Sequence, residues 1–489
     1  MPSTLLCRPV WKESAVSVDE DNSETFIRHV VLLCGSFASQ AAVIESKLPG
    51  AHFAALRCAA ADIADRFEDV SCQAFETIKA LLLEKAEGKT LVQVLIDSQG
   101  EGQLLSGLAG LVQTATLENP AILGQVIELR PDGDPAAKLL ENRARAEDVR
   151  VRYVDGKRTI LAFEELTDLP DEPALCWLDE GVYLITGGVG ALALLFAQEI
   201  ASKAANPNLI LVGRSALNDR TQARLELLAS AGARVAYRQV DVADESAVAR
   251  LMAGIRCDFG RLDGVLHTAG TIHDNFLARK PTAEFKAVLA AKVKGSVLLE
   301  RASRELAPKL IVVFSSCSGV TGNLGQADYA SANAFMDAFA HWHLLNCREG
   351  GSPTRIVSIN WPLWKDGGMR VDNATLAAMR ERTGSVPLES AAGLQAFYQA
   401  IASGISQVMI LSGEKTRLRQ VILQGNATQS FKDRQESLIS VDEKELRDRT
   451  LAKLKSLLGE TINLAKERID EDEPLESYGI DSILVTQLN

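Results

Sequence analysis

Residues 314–339 read FSSCSGVTGNLGQADYASANAFMDAF and carry the side chains best suited to chemistry. Tyr329 and Asn333 stand four apart, so a helix places the phenol and the amide on one face. Ser316 lies upstream, where the apolar run IVVF ends as a strand would. A hydroxyl, a phenol and an amide gathered at the carboxyl end of an open α/β sheet suggest a reaction centre. A buried Tyr with ordinary helix-capping serines has the same pattern, so the surrounding elements must decide.

Those elements begin at residue 181. The strand GVYLIT runs into GGVGALALLFAQEIA. Thr186, Gly187, Gly188, Val189 and Gly190 form a turn whose glycines let the backbone approach a pyrophosphate at a helix N-terminus. The flanking strand and helix supply the context that a lone Gly-rich turn needs. The next strand, NLILVGRS, ends in Gly213, Arg214 and Ser215. No carboxylate stands there to hold a ribose hydroxyl, and Arg214 suits a 2′-phosphate, which favours NADPH. Asp241 and Val242 close a third strand beside the expected adenine. Ala269 and Gly270 close a fourth, LDGVLHTAG, and leave room for a cofactor. This alternation predicts a right-handed parallel sheet.

Residues 282–307 read as one long helix with Lys292 set among Ala290, Ala291 and Val293. INWPLWKDGGM is an apolar strand ending in two Trp, of a kind that commonly lines a substrate mouth. Residues 370–400 read as helices able to form a lid. The N-terminal half, residues 1–170, also alternates strands and helices, but its first turn, GSFASQ, offers a single Gly. It is therefore expected to be an α/β domain without cofactor.

The chain has 489 residues, 47% hydrophobic and 24% charged, which predicts two or three globular domains. A net charge of −12 argues against a nucleic-acid surface. Eight scattered Cys without a CxxC argue against a disulfide framework or zinc site and favour the cytoplasm. No metal site is expected. No signal peptide and no apolar run of ~20 residues is seen, so no membrane partner is expected.

Taken together, TGGVGALA, LVGRS, HTAG, KVKGS, FSSCSG, GQADYASANAFMDA and INWPLWKDGGM resemble the ketoreductase domain of modular polyketide synthases. That family is a specialised branch of the short-chain dehydrogenase/reductase superfamily. The likeness covers roughly residues 1–415. It implies two Rossmann-like subdomains: a degenerate structural one at 1–170 and an NADPH-binding, doubly wound one at 171–415. A linker is expected at 416–440. Residues 441–489, ending in EPLESYGIDSILVTQLN, resemble the start of an acyl carrier protein, with Ser482 as its phosphopantetheine-accepting residue. Seven residues follow Ser482, so this carrier is expected to be truncated.

The resemblance also implies roles. Tyr329 protonates the nascent alkoxide, and Ser316 hydrogen-bonds the carbonyl. Lys292 lowers the Tyr329 pKa and binds the nicotinamide ribose, and Asn333 orders the water and Lys network. Other short-chain reductases place the Lys where Asn333 stands here. Asp274, the last residue of Ile272-His273-Asp274, occupies the diagnostic position of the B-type Leu-Asp-Asp motif. Thr321 stands where A-type members have Trp, and Leu324 where an epimerising variant has Pro. The expected reaction is thus NADPH-dependent reduction of a carrier-bound β-ketoacyl thioester to a D-configured alcohol, with the carrier protein and other synthase modules as partners. The alternatives are a redox-inactive scaffold or epimerase-only domain, and a free short-chain alcohol dehydrogenase.

Overall fold

The computed structural model describes residues 3–16, 25–84, 88–170, 173, 176–350, 354–369, 371–420, 451, 455 and 470. One compact unit spans Met1–Gln424 and a second Gly425–Asn489. The sheet and all the chemistry below belong to the first. Ser482 lies outside the described residues.

Seven strands come from the N-terminal half: β1 Ser3–Glu13, β2 Phe26–Leu33, β3 His52–Ala55, β4 Lys89–Asp97, β5 Ile122–Leu129, β6 Arg150–Val154 and β7 Lys157–Glu165. Seven more follow: β8 Val182–Thr186, β9 Asn208–Gly213, β10 Arg234–Gln239, β11 Gly264–His267, β12 Leu310–Ser316, β13 Arg355–Trp361 and β14 Gln407–Gly413. All join one sheet in the order β10-β9-β8-β11-β12-β13-β14-β1-β7-β6-β5-β4-β2-β3. The run β10-β9-β8-β11-β12-β13 is the doubly wound order, with its switch point between β8 and β11. Strands such as β8 and β9 are apolar nearly throughout because helices cover both faces.

The two halves read from the sequence as separate domains share this sheet. β1 pairs antiparallel with β14 on one side and with β7 on the other. The start of the expected linker is also ordered: Lys415–Leu418 forms a helical turn, Leu418 is buried, and Lys415 and Arg419 both pair with Glu165 of β7. Trp361 and Trp364 do not line a mouth. Each is 4% exposed, and they pack with Phe196 and Phe314 inside the core, because Trp361 ends a strand covered on both faces and Trp364, three residues on, packs back against it.

The turn after β2 shows why the N-terminal half differs from its partner. A Cβ built on Gly35 would lie 2.5 Å from Oδ2 of Asp97. Asp97, at the end of β4, accepts from the Ser36 backbone N–H at 3.1 Å and from the Ser36 hydroxyl at 2.5 Å. An internal carboxylate thus stands at the Ser36 amide, in a turn where a nucleotide-binding protein would place a phosphate.

Helix Leu108–Glu118 of the N-terminal half packs against helix Ala327–Gly350 with backbone almost touching backbone. A Cβ on Gly110 would sit 2.4 Å from the Ala330 carbonyl carbon, so only glycine fits. The Ser331 hydroxyl donates to the Gly107 carbonyl at 3.1 Å. The helix bearing Tyr329 is therefore held from both sides, by its own sheet and by the other half of the chain.

Candidate active site

β12 ends at Ser316, and Tyr329 is the third residue of helix Ala327–Gly350, with Asn333 one turn on. Asn333 donates from Nδ2 to the Tyr329 carbonyl at 2.7 Å, and its buried Oδ1 has no protein partner. Burial pushes the Tyr329 phenol above its ordinary pKa, while side-chain hydrogen bonding from Asn333 and Ser316 pulls it back.

Lys292 arrives from a different element. The long helix expected at 282–307 is interrupted. Thr282–Leu289 and Gly295–Ser303 are α-helical, but Ala290–Lys294 widens into a π-turn with Lys292 at its centre. Such turns recur at functional sites because they redirect one side chain without ending the helix. Lys292 Nζ donates to the Phe314 carbonyl at 2.8 Å and lies 5.1 Å from the Tyr329 ring centroid. The side chain is 4% exposed, and burial pulls its pKa down to about 7, against an upward pull from Asp337.

Two residues of this centre escaped the sequence reading. His267, at the end of β11, links the Gly-rich turn to the π-turn. Thr186 Oγ1 and His267 Nδ1 are 2.8 Å apart, and His267 Nε2 lies 3.0 Å from the Ala291 carbonyl. A carbonyl only accepts, so Nε2 carries the proton and Nδ1 accepts from the Thr186 hydroxyl. Burial and Lys292 hold this imidazole at a pKa of about 3, so it stays neutral. Asp337 is the second. It continues the face of Tyr329 and Asn333 at the same four-residue spacing, a signal present in the sequence. Its carboxylate accepts from Ser358 Oγ at 2.6 Å and Asn360 Nδ2 at 2.7 Å, and burial raises its pKa to about 6.

Gly187, Gly188, Val189, Gly190, Arg214, Ser215, Asp241, Val242, Ala269 and Gly270 line a single cleft at the switch point. Gly187 and Gly188 both have positive φ, 90° and 60°, and a Cβ on Gly187 would meet the Thr268 hydroxyl at 2.5 Å. Helix Ala191–Lys203 opens at Gly190 with no side-chain cap, leaving its first amides for a ligand. Arg214 is exposed at the cleft. Thr186 differs from the sequence expectation: it is fully buried and engaged with His267, beneath the turn. A Cβ on Gly270 would press Lys292 Cε at 3.0 Å, so the cleft runs up to the Lys.

Beyond Tyr329, Asp274 accepts from Gln326 Nε2 at 2.8 Å. Leu324 is 46% exposed and Phe276 54% exposed. Thr321 closes a short helix, Ser318–Thr321, and turns its hydroxyl back to the Cys317 carbonyl at 3.1 Å. A buried ion pair joins Lys280 to Asp328 at 2.7 Å, next to Tyr329 in the chain.

A doubly wound sheet, a Gly-rich turn and a Tyr–Lys–Ser cluster at its switch point define an oxidoreductase of the short-chain dehydrogenase/reductase type. The family model of the KR domain matches residues 181–366, and that of the phosphopantetheine attachment site matches 452–489. Polyketide synthase PksN of Bacillus subtilis (strain 168) is 39% identical over 468 residues, 94% of this chain and 8% of its own. PksL of the same organism is 36% identical over 497 residues, 99% of this chain and 11% of its own. The chain thus spans about a tenth of the length of these relatives. A ketoreductase domain from the bacillaene assembly line superposes with a TM-score of 0.82 at 35% identity, over 86% of this chain and all of that one. A ketoreductase from the macrolactin assembly line, 24% identical, shares the fold at a TM-score of 0.68, over 86% of this chain and 94% of its own. The chain belongs to the ketoreductase domains of polyketide synthases.

Proposed function

We propose that the chain reduces the β-keto group of a carrier-bound polyketide acyl thioester with NADPH, giving a D-configured β-hydroxyl. The observation that carries this reading is the convergence of Ser316, Tyr329 and Lys292 at the end of a cleft whose residues suit a phosphorylated dinucleotide. The glycines at 187 and 188 and the uncapped amides after Gly190 fit a pyrophosphate. Arg214, with no carboxylate beside it at the end of β9, fits a 2′-phosphate.

When bound, the nicotinamide supplies the hydride. The chain's residues then answer the negative charge that develops on the substrate oxygen. The Ser316 hydroxyl donates a hydrogen bond to it, and the Tyr329 phenol gives up its proton to it. Lys292 as an ammonium stabilises the phenolate left behind, which offsets the cost that burial places on that anion. The free Oδ1 of Asn333 accepts from a water or from Lys292 and completes the route for reprotonation. Asp274, Thr321 and Leu324 set which face of the ketone meets the hydride. A carrier protein's phosphopantetheine arm presents the substrate, and Ser482 stands at the position where such an arm attaches. Residues 1–170 act as a structural subdomain, and 171–415 as the catalytic one.

NADPH oxidation with trans-1-decalone tests the reading. Wild type is expected to turn over, and Tyr329→Phe to lose at least about a hundredfold in kcat, the usual worth of a positioned acid. Turnover that is equal in the two proteins refutes the assignment.

A further inference from the structure

Besides its contacts with the Tyr329 helix, the N-terminal half meets the loops beside the reaction centre at a built junction. Glu118 ends helix Leu108–Glu118, and each of its carboxylate oxygens holds a different loop of the other half. Oε2 accepts from the Leu277 backbone N–H at 2.7 Å, and Oε1 accepts from the Gly325 N–H at 3.1 Å. The first loop carries Asp274 and Phe276; the second carries Leu324 and leads into Tyr329. Asn275 N–H donates to the Gly325 carbonyl at 2.9 Å, so the two loops also run edge to edge. Further contacts from the same half brace them. Thr114 Oγ1 accepts from Asn323 N–H at 3.2 Å, and Lys79 Nζ donates to the Lys280 carbonyl at 2.7 Å.

We propose that Glu118 is a positioning residue for the reduction: its carboxylate clamps the two substrate-facing loops in register and thereby sets the facial selectivity and the fit of the ketone. The proposal rests on the reduction described above. The residue acts through backbone amides of Leu277 and Gly325. Only a carboxylate serves both. A carboxamide keeps one acceptor oxygen but turns an NH₂ group toward the second amide, so one loop stays held and the other is repelled. An alkyl side chain frees both and leaves two amides seeking water. The consequence is local. The cofactor cleft is built from the ends of β8, β9, β10 and β11 with Ala291, and the first loop touches it at Thr271, six residues before the clamped Leu277, so cofactor affinity is expected to be insensitive to the clamp.

The test compares full-length wild type, Glu118→Gln and Glu118→Ala by three readouts. The first is amide hydrogen exchange in peptides covering 271–281 and 321–326. The second is the enantiomer ratio and KM for an N-acetylcysteamine β-ketoacyl thioester. The third is NADPH affinity by fluorescence titration. Loss of one charge-assisted hydrogen bond corresponds to about tenfold in the population of the held state. Glu118→Gln is therefore expected to speed exchange in one of the two loops by about tenfold. It should also lower the enantiomer ratio and raise KM by a similar factor, with kcat and NADPH affinity within about twofold of wild type. Glu118→Ala is expected to loosen both loops. An unchanged enantiomer ratio and KM in Glu118→Gln overturns the proposal, and so does a loss of NADPH affinity parallel to the rise in KM. If wild type itself fails to reduce the thioester, the proposed reaction is what fails. The exchange measurement alone then decides the clamp, with unchanged exchange refuting it.

Discussion

Lys280 and Asp328 meet at 2.7 Å with side chains 0% and 1% exposed, one residue before Tyr329. At that separation, an effective dielectric of about 20 gives an attraction of roughly 6 kcal/mol, and removing the two ions from water opposes it by several kcal/mol each. The pair as a whole therefore contributes little, but either partner alone is costly. Lys280→Met is expected to destabilise the fold by about 3–5 kcal/mol, because the Asp328 carboxylate loses its cation and is left to backbone N–H groups, that of Tyr329 at 2.8 Å and its own. Asp328→Asn in the same chain removes the stranded charge and should recover on the order of 2 kcal/mol. The pH dependence has a definite sign. Burial already raises the Asp328 carboxyl above the ordinary range, against the hydrogen bond and charge of Lys280. A raised carboxyl favours the folded state at low pH and loses that contribution as pH rises through its folded pKa. Without Lys280 the pKa climbs further, so the penalty of Lys280→Met is largest at neutral to alkaline pH and shrinks on acidification. Urea unfolding followed by the fluorescence of the buried Trp177, Trp361 and Trp364 measures this. Equal stability of Lys280→Met and the double variant at pH 8 would refute the argument, as would a penalty that grows as pH falls.

Four further outcomes are expected. Arg214→Ala should raise the KM for NADPH by about 10- to 100-fold with little change in kcat, because a phosphate contact far from the chemistry is made equally in ground and transition states. NADH should be unaffected, and equal use of both cofactors by wild type would remove the Arg214 assignment. Asp274→Ala, which releases Gln326 Nε2, should erode the enantiomeric purity of the alcohol while reduction continues, read by chiral chromatography. With Lys292 held at about 7, kcat/KM for reduction should be level at lower pH and fall as the ammonium is lost above it. His267 stays neutral throughout this range. Asp337 pulls the Lys292 pKa upward, so Asp337→Asn should move the fall to lower pH, seen in the pH–rate profile.

Features written in contiguous residues were legible without coordinates. The Gly-rich turn at 187–190, the Arg at the end of β9 and the four-residue spacing of Tyr329 and Asn333 depend on local backbone geometry, which periodicity and turn chemistry report directly. The residues read from them fall together at one switch point, and the family follows from the same motifs. Asp337 was legible in principle, being the next step along that face. An Asp on a helix is ordinarily a solvated group, and only its burial against Ser358 and Asn360 marks it otherwise.

What the sequence by itself determined was therefore the α/β class, the Gly-rich turn and the helix that presents Tyr329. Tertiary structure decided the rest, because the decisive contacts join residues far apart in the chain. Periodicity sees an unbroken helix where packing opens a π-turn and aims Lys292 at the Phe314 carbonyl. No local signal tells that β1 closes against β14 some 400 residues away, or that Asp97 reaches back to the turn at Gly35. The same holds for Glu118, whose partners lie 159 and 207 residues away. Composition reads the first half as a domain apart; the sheet and the Gly110–Ala330 contact make it the wall against which the Tyr329 helix rests.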